Sequence, residues 1–196
     1  KQLQNKGLPP DANFATLQAA GYRDLYVFAT DLNQRRVKEF SPESHPETPV
    51  AEAVRASFSI PLFFKAWQFS NHFPDDHIYV DGGLSYHDSL RLFDQKGKAP
   101  QSTLGLYLNH PQSSDCTQQL AYNEIYHYTS ALFNTLLETQ TWAWQQNTSA
   151  HKRCIRIDDQ GWSATNFKMT PTEQQQLILA GQKAATQFLE NYHNPA

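Results

Sequence analysis

Short, nearly continuous apolar segments alternate with helical patterns along this chain of 196 residues. Asp24 to Thr30 is an almost unbroken apolar and aromatic run, and Thr103 to Asn109 repeats the pattern. Such runs are typical of strands buried on both faces, because a half-exposed strand alternates polar with apolar residues. Strands that alternate with helices favour an α/β fold with a central sheet covered by helices.

Local signals at segment ends predict the remaining elements. Prolines, capping residues and glycines mark helix ends, and short apolar runs mark strands. A capping box, Thr170 with Glu173, begins the last helix. The predicted helices are 13–21, 49–57, 115–147 and 171–192, and the further strands are 37–40, 78–81 and 153–157.

Composition excludes several classes of protein. The formal net charge of -3 and the pI near 6.2 give no attraction for a phosphate backbone, so we expect no nucleic-acid partner. No apolar run approaches the roughly 20 residues that cross a bilayer. The two cysteines, Cys116 and Cys154, define no disulfide framework and are compatible with a reducing compartment such as the cytoplasm.

Asp81 is the first candidate for chemistry. It ends a predicted strand, at the edge where α/β sheets place their sites, and Gly82 and Gly83 follow it. The glycines let the backbone turn sharply and leave space beside the carboxylate. A simple Asp-Gly turn that closes the strand explains the same residues, so wider context is needed.

Three blocks in order supply that context. They are Ala29-Thr30-Asp31-Leu32, the run from Ala53 to Phe63, and Tyr79-Val80-Asp81-Gly82-Gly83-Leu84. Their order and placement resemble the patatin-like phospholipase family. The last third is similar too, through Arg153 to Asp158, Asn166-Phe167 and Glu173 to Gly181, so the resemblance extends over about residues 13–190.

The resemblance implies a three-layer α/β fold with a mostly parallel or mixed central sheet. It also implies a serine acyl hydrolase, of phospholipase A or lysophospholipase type, that works through a Ser-Asp dyad without a cofactor or metal. Asp81 matches the dyad aspartate, and Gly82, Gly83, Arg55 and Ser57 are the residues expected to shape the site or bind substrate. The expected partner is a phospholipid or other lipid ester at a membrane surface, reached by peripheral adsorption.

The other half of the dyad is missing from this sequence. No Gly-x-Ser-x-Gly elbow or glycine-rich oxyanion loop is present, and the approximations at Gly83 to His87 and Gly161 to Thr165 lack the closing glycine. The chain starts at Lys1 and its only methionine is Met169. We therefore expect residues 1–196 to be the C-terminal portion of a single patatin-like catalytic domain, with the nucleophile on an N-terminal segment that acts as its partner.

Other hypotheses remain open. Seven possible metal ligands could support a metal-dependent hydrolase, although their spacing matches no zinc signature: His72, Asp75, Asp76, His77, Asp81, His87 and Asp88. A non-catalytic lipid-binding or scaffold protein could share the fold. Arg55 could bind a phosphate headgroup or pair with a carboxylate such as Asp31, and Trp142 and Trp144 are candidate membrane anchors.

Overall fold

The computed structural model describes residues 2–70, 74–84, 89–97, 102–109, 152–162 and 167–193, with 125, 128–129, 131–133 and 135–136. The chain divides into two compact units, which are described separately. The first comprises residues 1–87 and 129–141, and the second comprises 88–128 and 142–196.

The described part of the first unit contains three helices and three strands, besides the helical residues 129, 131–133 and 135–136. Helix α1 was not predicted from the sequence, and the other five elements begin and end within about three residues of the predicted positions. Asn13 caps the second helix, since its side chain accepts a hydrogen bond from the Thr16 amide at 2.8 Å. Pro49 immediately precedes the third helix, where a missing N–H has no cost. The elements are α1 (Gln2–Asn5), α2 (Phe14–Ala19), β1 (Val27–Asp31), β2 (Arg36–Phe40), α3 (Val50–Ser57) and β3 (Tyr79–Asp81), which continues into a 3₁₀ turn at Gly82–Leu84.

Strand β1 is the centre of a three-stranded sheet with the order β2-β1-β3. Both pairings are antiparallel, and they place Val27 opposite Phe40 and Ala29 opposite Asp81. Four of the five β1 residues are buried, which confirms the prediction of a strand covered on both faces from Val27 on. The predicted strand began at Asp24, and this part of the prediction is wrong, because residues 24–26 precede the strand and Leu25 is exposed. The register fixes Asp81 beside the most buried strand of the unit.

An apolar core joins this sheet to α2 and α3. Helix α3 packs against β1 and β3 through small residues, Ala53 and Ala56, which let the backbones approach closely. Phe40, Phe69 and Tyr79 form an aromatic cluster with ring centroids 5.4–5.6 Å apart. All three rings are buried, so they bring a large share of the apolar area that stabilises this unit.

The second unit contains α4 (Ser89–Gln95), β4 (Gly105–Asn109), β5 (Cys154–Asp158) and α5 (Pro171–His193). Strands β4 and β5 pair in parallel, and α5 packs against β5. The predicted capping box is confirmed, because the Thr170 amide donates to Glu173 Oε2 at 2.6 Å and the Glu173 amide to Thr170 Oγ1 at 3.4 Å. Arg153 donates to both carboxylate oxygens of Asp94 and lowers the pKa of that carboxyl.

The predicted mixture of strands and helices is confirmed as a mixed α/β architecture. Among the described residues, one small sheet is antiparallel and one is parallel; the single central sheet and its three layers stay predictions. The prediction that β4 is buried on both faces is wrong for the described structure, where alternate leucines are 53–72% exposed: Leu104, Leu106 and Leu108.

The long helix predicted over 115–147 falls mostly outside the described residues, as do Cys116, Trp142 and Trp144. The positions within it that are described, 125, 128–129, 131–133 and 135–136, are helical. None of the described helices is both long and apolar enough to cross a membrane.

Candidate active site

The backbone of Asp81 is held from both sides. Its amide donates to the Ser59 carbonyl at 3.0 Å, and its carbonyl accepts from Thr30 Oγ1 at 2.9 Å. Its carboxylate is oriented as well, because the Gly83 amide donates to Oδ1 at 2.7 Å. Three parts of the chain therefore fix the aspartate: the segment that follows α3, strand β1 and the turn that follows β3.

The first glycine after Asp81 is required by packing. A Cβ atom at Gly82 would lie 2.4 Å from the Phe28 carbonyl oxygen and 2.9 Å from its carbon. Both atoms belong to the backbone of β1, so they cannot rotate away as the end of a flexible side chain would. Gly82 thus allows β3 to turn while it lies directly against the central strand.

Asp81 lines an open cleft of about 370 Å³ in the first unit. Apolar side chains from β1 and α3 form much of the wall, and the Asp-Gly-Gly turn forms one side. The lining residues are Tyr26, Val27, Phe28, Val54, Ser57, Phe58, Asp81, Gly82 and Gly83. Four of the five predicted site residues are therefore brought together, namely Asp81, Gly82, Gly83 and Ser57.

Arg55 lies outside that lining, and the expected pairing of Arg55 with Asp31 is wrong. Its guanidinium donates to Ser59 Oγ at 2.5 Å and to the Lys65 carbonyl at 3.2 Å, while Asp31 binds His77 instead. The guanidinium also lies 5.1–5.7 Å from the centroids of three aromatic rings, those of Phe58, Phe64 and Trp67. Arg55 thus supports the segment that carries the Ser59 carbonyl, the acceptor for the Asp81 amide.

Ser59 follows the end of α3, where hydroxyl side chains usually bond to nearby backbone. Its side chain is fully buried and donates to the Arg55 carbonyl at 2.7 Å. The Ser59 hydroxyl thus donates to the Arg55 carbonyl and accepts from the Arg55 guanidinium, so its role in the turn is structural.

A polar network next to β3 was not anticipated from the sequence. The Asp31 carboxylate is fully buried; Oδ1 accepts from the Asn33 and Gln34 amides at 2.9 Å, and Oδ2 lies 2.7 Å from His77 Nδ1. Asp75 lies 3.5 Å from the same nitrogen. One local signal could have indicated part of this network, because Asp31 directly precedes the β1–β2 turn and an aspartate in that place usually accepts hydrogen bonds from turn amides.

The hydrogen bonds of this network set the protonation of its members. Burial raises the pKa of Asp75, but hydrogen bonds from the Tyr79 hydroxyl, 2.8–2.9 Å away, and the His77 amide, aided by Lys38, bring it below its ordinary value. Burial, and then the bond to Asp75, raises the pKa of Tyr79. Tyr79 is therefore a neutral donor and Asp75 an anionic acceptor at neutral pH.

The metal hypothesis can be compared with the same geometry. Two of its seven residues, Asp75 and His77, come together in the structure. Asp31, which was not among the seven, lies with them, and the possible ligand atoms of all three are within 4.8 Å of one another. These atoms already have protein partners, including the ammonium of Lys38 at 3.4 Å from Asp75, which opposes a cation. His72, His87 and Asp88 lie outside the described residues. The set fits a hydrogen-bonded network better than a divalent ion.

Comparison with known proteins confirms the resemblance over part of the chain. Residues 1–93 match the family model of patatin-like phospholipases, a range that includes Asp81, both glycines, Arg55 and Ser57. The last-third similarity proposed for residues beyond 93 lies outside that match.

Two individual proteins are also similar. An uncharacterized protein of Acanthamoeba polyphaga mimivirus is 26% identical over 169 residues, which are 84% of this chain and 54% of that protein. The crystal structure of VipD from Legionella pneumophila aligns with a TM-score of 0.54 and 13% identity, over 87% of this chain and 31% of VipD. This chain thus spans about half the length of its curated relative. The family match and the shared fold together support a lipid hydrolase fold.

Proposed function

We propose, on the premise that residues 1–93 match patatin-like phospholipases, that this chain supplies the aspartate of a Ser-Asp dyad in a lipid acyl hydrolase. The substrate would be a phospholipid or another lipid acyl ester, in a reaction of phospholipase A or lysophospholipase type. The observation that carries the proposal is the triple restraint of Asp81, through its amide, its carbonyl and its carboxylate, at the edge of an apolar cleft.

The proposed chemistry needs a fixed carboxylate because a serine hydroxyl is a poor nucleophile until a base takes its proton. The serine oxygen would bond to the acyl carbon as Asp81 accepts the hydroxyl proton. That proton would then pass to the departing lysolipid oxygen as the ester bond breaks. In the second half, Asp81 would take a proton from water as the water oxygen attacks the acyl carbon. The bond between that carbon and the serine oxygen would then break, the fatty acid would leave, and Asp81 would return the proton to the serine.

The apolar side of the cleft suits this substrate class. Val54 and Phe58 are 40% and 46% exposed and line the same cleft as Asp81. Apolar surface beside a polar reacting group is what an acyl ester requires. Ser57 lines the cleft too, and we propose a site-shaping role for it, since the dyad serine is expected in an elbow that this sequence lacks.

We expect the nucleophile and the oxyanion donors on an upstream segment of the same polypeptide. Without them the 196 residues should not hydrolyse esters, because the attacking atom and the charge stabilisation are both absent from the sequence. Turnover or serine labelling by the isolated 196 residues would contradict this division of the site.

Two reagents separate the proposal from its alternatives in the full-length protein. A fluorophosphonate should label one serine and abolish ester turnover, while a chelator should leave turnover unchanged. Loss to the chelator without labelling would favour a metal-dependent hydrolase that uses part of the His72 to Asp88 cluster. Neither labelling nor turnover, with lipid binding retained, would favour a non-catalytic lipid-binding or scaffold protein.

A further inference from the structure

The turn after α3 carries exposed apolar residues at a sharp, strained bend. Leu62 has a φ of 71°, in the left-handed region that a leucine rarely occupies. Its side chain is 44% exposed, and that of the next residue, Phe63, is 38% exposed. Two large apolar side chains thus face solvent at a bend whose backbone conformation is itself unfavourable, an arrangement that brings no stability through burial.

Hydrogen bonds and a cation–π contact support this turn. The Phe63 and Phe64 amides both donate to the Ile60 carbonyl, at 3.2 Å and 2.9 Å. Arg55 donates to the Lys65 carbonyl and stacks against Phe64. Leu62 and Phe63 are thus presented on a preformed support, so contact with a partner would cost little ordering entropy.

The chain segment that contains the turn carries charged side chains of one sign only. No Asp or Glu occurs from residue 53 to residue 74, whereas Arg55 and Lys65 both fall within that stretch. Lys65 is exposed and follows the apolar pair by two residues. Exposed apolar side chains next to an exposed lysine match a surface whose interior is apolar and whose headgroups are anionic.

The turn is also continuous with the proposed active site. Phe58 lines the Asp81 cleft and forms an edge-to-face pair with Phe64, with 6.1 Å between ring centroids. Ser59, between Phe58 and the bend, holds the Asp81 amide. A lipid that leaves a bilayer at this turn would meet the cleft next.

We infer that residues 58–65, the anchor turn, dock the protein onto an anionic phospholipid surface through Leu62, Phe63 and Lys65. This inference rests on the proposed function in one respect: a lipid hydrolase must reach an interface, and docking would serve that purpose. The docking itself needs neither the serine nor Asp81. It places the membrane contact in the first unit, whereas the sequence analysis named Trp142 and Trp144.

The test measures partition of the full-length protein onto vesicles of phosphatidylcholine with phosphatidylserine. The double variant Leu62→Asn and Phe63→Ser should lower the partition coefficient by about tenfold or more, because the apolar area that enters the interface is lost. Asparagine tolerates the left-handed backbone, so folding should be preserved. Lys65→Gln should weaken binding to these vesicles and leave binding to pure phosphatidylcholine vesicles unchanged.

A matched control removes similar apolar area elsewhere in the same unit. Leu32 and Ile78 are 44% and 43% exposed and adjacent, so Leu32→Asn with Ile78→Ser should leave the partition coefficient unchanged. An equal loss in the control, or none in the Leu62 and Phe63 variant, would overturn the inference. So would a lowered melting temperature in that variant with unchanged partition, because another part of the polypeptide would then cover the turn.

Turnover of a soluble short-chain ester keeps the two proposals separate. Such an ester requires no interface, so the Leu62 and Phe63 variant should hydrolyse it at the parental rate. If vesicle binding behaves as described but no serine-dependent turnover exists, the proposed function fails and the docking inference stands. If turnover exists and docking is unaffected by the variant, the docking inference alone fails.

Discussion

Replacing Gly82 with alanine should destabilise the first unit through a contact between two strands. The added methyl carbon would lie 2.4 Å from the Phe28 carbonyl oxygen, well inside van der Waals contact. Phe28 is the second residue of β1, which pairs with β2 on one side and β3 on the other. Relief of the clash requires β3 to move away from the central strand, since β1 is fixed from both edges.

The size of the effect follows from these contacts. Insertion of a methylene into a packed interior costs roughly 1–3 kcal/mol, and the hydrophobic gain of one buried methyl, about 0.8 kcal/mol, does not offset a backbone clash. We expect a loss of about 2 kcal/mol in the free energy of unfolding.

Urea unfolding of the full-length protein, followed by tryptophan fluorescence, measures this loss. Gly181→Ala is the matched control: it makes the same chemical change inside α5, where the nearest atom to the new carbon is Ile157 Cγ2 at 3.9 Å. That variant should be stabilised, by about 0.5–1 kcal/mol, because alanine favours helix over glycine. If Gly82→Ala were as stable as the parent, the close packing of β3 on β1 would be refuted.

Three further changes have definite expected outcomes. Tyr79→Phe should lower the free energy of unfolding by about 1 kcal/mol at neutral pH and make it less dependent on acid pH. The lowered pKa of Asp75 gives stability that is present above the ordinary pKa of 3.8 and is lost as the pH falls. Because the variant lacks the Tyr79 hydrogen bond, urea titrations between pH 5 and pH 2 should show a shallower decline in its free energy of unfolding than in that of the parent. Asn13→Ala should lower the free energy of unfolding by about 1 kcal/mol, since the Thr16 amide loses its cap; thermal unfolding checks this, and a neutral effect would contradict the capping role. Arg55→Lys should destabilise nearly as much as Arg55→Gln, because stacking on three rings requires the planar group; recovery of stability by lysine would show that charge alone matters.

The sequence predicted elements well where the signal is local. The helices after Asn13 and Pro49, the strand that ends at Asp81 and the capping box at Thr170 all occur close to the expected positions. Each depends on a nearby residue whose chemistry acts over one turn: a capping side chain, a proline ring or a run of apolar residues. Asp81 was found in the same way, from its place at a strand end and from the family-like blocks.

Features that depend on distant pairing were missed. Asp31 and His77 are 46 residues apart, and no local pattern indicates that their side chains meet at 2.7 Å. Arg55 was expected near a carboxylate because a partly buried cation usually needs one, but three aromatic rings and a carbonyl take that place. The strand order of the first sheet is likewise a tertiary property, so its antiparallel pairing could not be read from the apolar run in β1.

The central claim, that Asp81 is a general base, is tested most directly by kcat of Asp81→Asn in the full-length protein. Asparagine keeps the volume and can accept the Gly83 amide, but it cannot take a proton from serine. We predict a fall of about 10²- to 10⁴-fold in kcat with a nearly unchanged free energy of unfolding and unchanged vesicle partition. An Asp81→Asn enzyme that kept more than about a tenth of the parental kcat would contradict the assignment, because a residue that merely closes a turn serves as well in its amide form.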